Sequence, residues 1–316
     1  MARLRAEVGP GASEEALWTA LAGLLARLGD SHTKLVRANE DGPRRTRHGL
    51  GRTLPRIEAT LGGGAWLGAL IGQLQDRLDP EPRGTLGGGR LVWGVLDGRV
   101  GYLQLFVMGG FTGEAGFGTA AWAKRERAVF AEALDAAFAA FAGLDAVIVD
   151  LSNNRGGYDA IARDLAGRFT EAPFVAWRTE VRGAGQPPAP RVVPPADGPR
   201  FGGRVLLLTS DVTVSGGELA TLALRQLPQV LHAGTRTRGA FSTPSPWPLP
   251  NGWWLELANE TFSDPDGRVF EGVGLTPEIT LEPFPRDAPV KGHRRALERL
   301  LARVSRGERA PPSEAL

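Results

Sequence analysis

The stretch from Val205 to Leu222, VLLLTSDVTVSGGELATL, decides how the chain is read. Its four-residue apolar run, Val205 to Leu208, predicts a buried strand, and the Leu/Ala/Leu spacing after Glu218 predicts a helix. Between them lies a turn of small residues ending at Ser215, which therefore stands at a helix N-terminus. Free backbone N–H groups and the positive end of the helix dipole favour negative charge there. The same four residues, Ser215 to Glu218, also match a capping box, in which the serine only satisfies an amide. Both readings stand on this segment alone.

A second unit of the same kind lies upstream. Ala146 to Asp150 predicts a strand, SNNRGGY a polar turn, and Asp159 to Phe169 a helix. Ala121 to Phe141 is an Ala-rich amphipathic helix. RLVWGVLDGRVGYLQLFV predicts two strands joined at Asp97-Gly98, and Asn251-Gly252 marks another turn between strands. Gly272 to Leu281 leads out of the core, and Val290 to Val304 predicts a last helix before a polar tail, Ser305 to Leu316. The N-terminal part is expected to be helical: Ser13 caps a helix from Glu14 to Leu28 that Gly29 stops, and Leu54 to Leu78 is helical with a break at Gly62 to Gly64. Residues 37–53 and 183–200 are expected to be loops. The fold class is α/β, with a helical N-terminal region over residues 1–86, a core over 87–289, and a C-terminal helix and tail over 290–316.

Composition narrows the chemistry. The 316 residues are 42% hydrophobic and contain no cysteine, so a thiol nucleophile, a thiolate metal site and a disulfide framework are excluded. Thirty-seven Lys and Arg against 35 Asp and Glu, interleaved along the chain, give little support to nucleic-acid binding. The basic stretches Arg44 to Arg52 and Arg294 to Arg306 are read as solvated faces. No apolar run approaches the roughly twenty residues a bilayer span needs, and MARLRAEVGPGASEEALW lacks the apolar core of a signal peptide. The chain as written is expected to be soluble and untargeted, with its compartment left open.

A serine nucleophile needs a base. The histidines are His32, His48, His232 and His293. His48 falls in an Arg-rich loop, His293 beside Lys291 and Arg294 in the tail, and His232 after a strand-like pair as a core or edge residue. His32, just beyond a helix end and preceded by Ser31, is best placed to project from a fixed scaffold. The three lysines, Lys34, Lys124 and Lys291, all lie outside the core that follows Ser215. A lysine base from that core is disfavoured.

Four segments in order carry a family resemblance: LGDSHTKLV (Leu28 to Val36), VIVDLSNNRGGYD (Val147 to Asp159), LLLTSDVTVSGGE (Leu206 to Glu218) and FEGVGLTPEI (Phe270 to Ile279). Together they resemble the serine peptidases that include carboxyl-terminal (tail-specific) processing proteases, the tricorn protease core and the modules of interphotoreceptor retinoid-binding protein. GTRTRGAFS (Gly234 to Ser242) has Ala240 where one branch of that family carries a catalytic lysine. The resemblance is therefore to the tricorn-like branch with a histidine base. It implies a crotonase-like, spiral β-α core without a PDZ module, and a hydrolase needing neither cofactor nor metal. It further implies Ser215 as nucleophile, His32 as general base and acid, Ser31 as a bridging hydroxyl and Glu271 as the distal carboxylate. The oxyanion hole would be the N–H of Gly216 with that of Gly156 or Gly157. Substrates implied are peptides or unfolded protein segments. Ser152 stands where many members carry arginine. The retinoid-binding modules suggest a different role for the same scaffold, a non-catalytic module binding an apolar ligand or peptide, for which tryptophans such as Trp247, Trp253 and Trp254 would suit a cleft. An esterase or acyltransferase would also use Ser215, but the Gly-x-Ser-x-Gly elbow is missing because Thr213 occupies its first position.

Overall fold

The structure is a computed structural model that describes residues 8, 9, 11–40, 42–116 and 118–307. The expected polar tail beyond residue 307 lies outside the described residues. The core is a mixed sheet of seven strands. Along the chain these are β3 (Arg83–Leu86), β4 (Leu91–Leu96), β5 (Val100–Leu105), β6 (Ala146–Asp150), β9 (Arg204–Thr209), β10 (Val230–Gly234) and β14 (Ile279–Thr280). Their spatial order is β14-β10-β9-β6-β5-β4-β3. The strands from β14 to β5 are parallel, and β5, β4 and β3 are antiparallel.

Every residue of β4, β5 and β6 is buried, as expected for strands covered on both faces. Alternate side chains feed two cores. Leu103, Leu105, Val147, Val149, Val205 and Leu207 pack on one face, with α4 (Ala120–Ala140), α5 (Asp159–Ala166) and α6 (Gly216–Leu224). Tyr102, Ala146, Ile148, Leu206 and Leu208 pack on the other, beneath α2 (Thr53–Leu61), α3 (Gly63–Arg77) and α7 (Pro289–Ser305). Each fully buried branched side chain contributes about 1.5–3 kcal/mol, so the sheet is a rigid base for whatever its edges carry. The chain is thus an α/β protein. The Asp97-Gly98 turn closes β4 onto β5 with both residues at positive φ (55° and 65°) and Arg99 N–H donating to Leu96 O at 3.1 Å. That is the geometry that Asp-Gly favours.

The N-terminal region is helical in α1 (Glu14–Ala26), α2 and α3, but it also contributes strands. Ser13 caps α1 by accepting the Ala16 N–H at 3.2 Å. β1 (Lys34–Arg37) and β2 (Arg44–Arg45) join β11 (Pro244–Pro248) and β12 (Trp254–Ala258) in a four-stranded sheet of order β11-β12-β1-β2. Leu35 pairs with Leu255, so the segment just after His32 is fixed to the distal half of the chain. Trp253 makes an edge contact with Trp18 at 5.5 Å, which seats α1 on this sheet.

Residues 183–200 are not wholly a loop. Ala189–Val193 form β8, which pairs with β7 (Phe174–Val181), and β13 (Glu260–Ser263) completes that three-stranded sheet. β8 is a mostly exposed edge strand containing Pro190, so it lacks the apolar alternation that would mark it in the sequence. Among the described residues, no helix is long and apolar enough to cross a membrane.

Candidate active site

Both strand-turn-helix units deliver their turns to the same end of the parallel sheet, because β6 and β9 are adjacent and parallel. Small hydroxyl residues stitch the two turns together. Thr213 Oγ1 donates to Leu151 O at 2.7 Å, Ser210 Oγ to Ser152 O, and the Val214 N–H to Asn154 O at 3.2 Å. Asn154 shapes its own turn: its amide donates to Leu105 O at 2.8 Å, and its Oδ1 accepts the Gly156 N–H at 2.9 Å.

Ser215 caps α6 with φ 56° and ψ −121°. A positive φ at a non-glycine residue costs of order 1–3 kcal/mol and is found where the surrounding structure enforces it. Here the enforcement is visible. The Ser215 N–H donates to Ala240 O at 3.0 Å and to Glu218 Oε2 at 3.2 Å, and the Glu218 and Leu219 N–H groups donate to Ser215 O at 2.8 and 2.9 Å. The glutamate half of the capping pair is therefore present.

Gly156 lies directly against the serine. A Cβ on Gly156 (φ 82°) would stand 2.8 Å from Ser215 Cβ, one on Gly216 would stand 2.8 Å from Gly157 O, and one on Gly217 would stand 2.5 Å from Asn154 Oδ1. These contacts leave room for glycine alone. The Gly156 N–H is committed to Asn154, whereas the N–H groups of Gly157 and Gly216 donate to no partner among the described residues. Gly157 is exposed, Ser215 half-buried.

His32 is presented by a turn that Asp30 ties. Its carboxylate accepts the His32 N–H at 2.8 Å, the Thr33 N–H at 3.0 Å and the Thr33 hydroxyl. His32 is 8% exposed, and the Ser242 backbone is among the groups that act on its imidazole. Burial, with the Lys34 ammonium adding to it, holds the imidazole below its ordinary value, so the neutral form is favoured. Glu271 also meets this segment: its Oε2 accepts the N–H groups of Phe241 and Ser242, both at 3.0 Å. Burial raises the Glu271 carboxyl above its ordinary value. Ser31 Oγ and His32 Nδ1 are buried and make no hydrogen bond, so Glu271 reaches the histidine's surroundings through main-chain amides and not through Ser31.

The structure thus brings Ser215, Gly156, Gly157 and Gly216 into one cluster. Residues 239–242 then run from Ser215, at Ala240 O, to His32 and Glu271, at Ser242. Two features escape a reading of the sequence. Glu218 is fully buried and accepts four hydrogen bonds, from Thr237 Oγ1 (2.6 Å) and the N–H groups of Gly239 (2.6 Å), Ala240 (2.8 Å) and Ser215 (3.2 Å). The glutamate of the capping box was the available signal. The second is Asp150 at the end of β6, fully buried and paired with His293 Nε2 at 2.6 Å. His293 accordingly belongs to the core and not to a charged tail. His232 is also buried, with Nε2 2.7 Å from the Thr209 hydroxyl, which itself donates to Thr235 O, so the ring donates from Nε2. Burial holds its basicity well below the ordinary value. Among the described residues, no group of three or more His, Asp or Glu is arranged to hold a metal ion.

Comparison with known proteins gives the same fold. A candidate peptidase from Parabacteroides merdae superposes with a TM-score of 0.71 at 21% identity, covering 96% of this chain and 88% of that one. Mature CPAF superposes at 0.56 with 18% identity, covering 97% and 75%. A lipoprotein from Streptococcus agalactiae superposes at 0.52 with 14% identity, covering 95% and 87%. No curated protein matches the sequence. The sequence profile described as peptidase family S41 matches residues 99–281, which is more than half of the chain and includes both glycine turns, Ser215 and Glu271. The chain belongs to peptidase family S41.

Proposed function

We propose that this S41 member is a serine peptidase that cleaves peptides or unfolded protein segments through an acyl-enzyme. The observation that carries the reading is Ser215 itself, held at positive φ on the N-terminus of α6 and facing a glycine turn. Ser215 Oγ attacks the scissile carbonyl while His32 takes its proton. The tetrahedral oxyanion accepts hydrogen bonds from the N–H groups of Gly157 and Gly216, which have no other partner among the described residues. Each donor of this kind is worth about a hundredfold to a thousandfold in rate. His32 returns the proton to the leaving amine, and a water then hydrolyses the ester by the reverse sequence. Glu271 anchors the Ser242 backbone beside the imidazole, and Ser31 lies next to His32 in the turn that Asp30 ties. An extended, unfolded segment is the substrate best suited to a serine seated between two backbone turns.

Labelling with a serine-reactive fluorophosphonate, read by intact mass, tests the assignment. Wild-type protein takes up one label at Ser215, Ser215→Ala none, and His32→Ala labels about a hundredfold or more slowly. Folded wild-type protein that stays unlabelled, or labelling indifferent to His32, would overturn it in favour of a binding module.

A further inference from the structure

Residues 239–242 belong to no strand, yet all four of their N–H groups are satisfied by just two carboxylates. Glu218 takes Gly239 (2.6 Å) and Ala240 (2.8 Å), and Glu271 takes Phe241 and Ser242 (both 3.0 Å). This ribbon runs between the two halves of the site: Ala240 O holds the Ser215 N–H at 3.0 Å, and the Ser242 backbone acts on the His32 imidazole. Glu218 alone touches both the ribbon and the nucleophile, since its Oε2 also accepts the Ser215 N–H at 3.2 Å.

We propose that Glu218 is a positioning residue for the reaction, its ionised carboxylate locking the 239–242 ribbon to Ser215 and so setting the nucleophile against its base. This rests on the serine-peptidase reading. The donors of the pocket favour the anion, which burial opposes. Four donors converge on two oxygens, with Thr237 Oγ1 and Gly239 N–H on Oε1 and Ala240 N–H and Ser215 N–H on Oε2. A proton on either oxygen adds a fifth donor and displaces at least one of the four. A glutamine has the same defect, because its NH2 must face two donors. Arg238, held by Asp211 O at 2.7 Å, is a charged side chain that interacts with Glu218, and the four donors that reach its carboxylate are neutral. Burial lifts the Glu218 carboxyl to about 7, so the lock tightens as pH rises through neutrality.

The test follows the fluorophosphonate labelling rate from pH 5 to 9 in wild type, Glu218→Gln and Thr237→Val, with circular dichroism to establish folding and amide exchange at residues 239 and 240. Wild type should lose reactivity as pH falls through about 7. Glu218→Gln should label about tenfold or more slowly at pH 8 and lack that transition. Thr237→Val removes one donor that favours the carboxylate, so its transition should move upward; it also serves if Glu218→Gln fails to fold. A Glu218→Gln rate equal to wild type, an unchanged transition near 7 in that variant, or an unmoved transition in Thr237→Val overturns the proposal while leaving the peptidase reading intact. Folded wild type that takes no label overturns the peptidase reading, and amide exchange then decides the lock. Protection that falls with pH through about 7 and is weakened in Glu218→Gln supports it; protection indifferent to both overturns it.

Discussion

Removing His293 should destabilise this protein far more than a residue between Lys291 and Arg294 would suggest. Both His293 and Asp150 are 0% exposed. The Asp150 carboxylate accepts from His293 Nε2 (2.6 Å), the Tyr102 hydroxyl (2.8 Å) and the Ser152 N–H (2.9 Å). Burial alone would raise this carboxyl, but the His293 charge and hydrogen bond bring it below its ordinary value. His293→Ala leaves an unpaired buried anion and opens a space beside Phe284, whose ring stacks on the imidazole at 5.8 Å. Breaking a buried pair from one side costs about 3–5 kcal/mol, against a total stability of about 5–15 kcal/mol. Urea unfolding at pH 7 should show a large fall in midpoint at constant slope. The folded carboxyl lies below its unfolded value, so the stability it contributes is present above that value and is lost as pH falls through the folded one. The difference between wild type and His293→Ala should therefore shrink in acid. His293→Gln, which can still offer an N–H, should recover part of the loss. A difference below about 1 kcal/mol at pH 7, or one that does not shrink in acid, would refute the reasoning.

Gly156→Ala should fold but label with fluorophosphonate about tenfold or more slowly, because its Cβ would stand 2.8 Å from Ser215 Cβ at φ 82°; labelling at the wild-type rate would count against the contact. Lys34→Ala should move the acid limb due to His32 upward, since the ammonium helps hold the imidazole below its ordinary value of about 6.5; a downward or absent shift in the labelling profile would contradict the assignment. Between pH 4.5 and 8 the stability of wild type relative to Glu218→Gln should fall by about 3 kcal/mol, measured by urea unfolding at each pH. A flat difference would mean that Glu218 titrates as it does in the unfolded chain.

The elements that the sequence made legible are those whose signals are local. The apolar run at Val205 to Leu208, the Asp97-Gly98 turn and the glycine break at Gly62 each carry their own instruction, and β9, the β4-β5 hairpin and the α2-α3 junction follow it. The two glycine turns could be paired in advance because strand, turn and helix repeat. What was not legible depends on partners far along the chain. β1 pairs with β12 across more than two hundred residues, and its four residues, KLVR, are too short and too charged to declare themselves. His293 lies 143 residues from Asp150 in sequence, and only the helical spacing of Gly292, Ala296, Leu297 and Leu300 around it shows that its face is the buried one. Glu218 looks like an ordinary capping residue because the four donors it serves come from three separate places: the Thr237 hydroxyl, the Gly239-Ala240 backbone and the serine.

Glu218 and Ser215 show how stability and reactivity are set against each other here. The folded carboxyl of Glu218 lies above its unfolded value, so the folded state holds that proton more tightly than the unfolded chain does. Its contribution to stability is present at acid pH and is lost as pH rises from 4.5 through about 7. The strained φ of Ser215 adds of order 1–3 kcal/mol at every pH. Both costs fall on Ser215 and on a residue that touches its backbone, while the sheet beneath, with β4, β5 and β6 buried on both faces, supplies the excess that sustains them. Had the same donors been satisfied by a neutral strand pairing, residues 239–242 would be cheaper to fold, and Ser215 would be tied to them through Ala240 O without the second tie at Glu218. The carboxylate is the more expensive solution, and it adds a second tie between Ser215 and that segment.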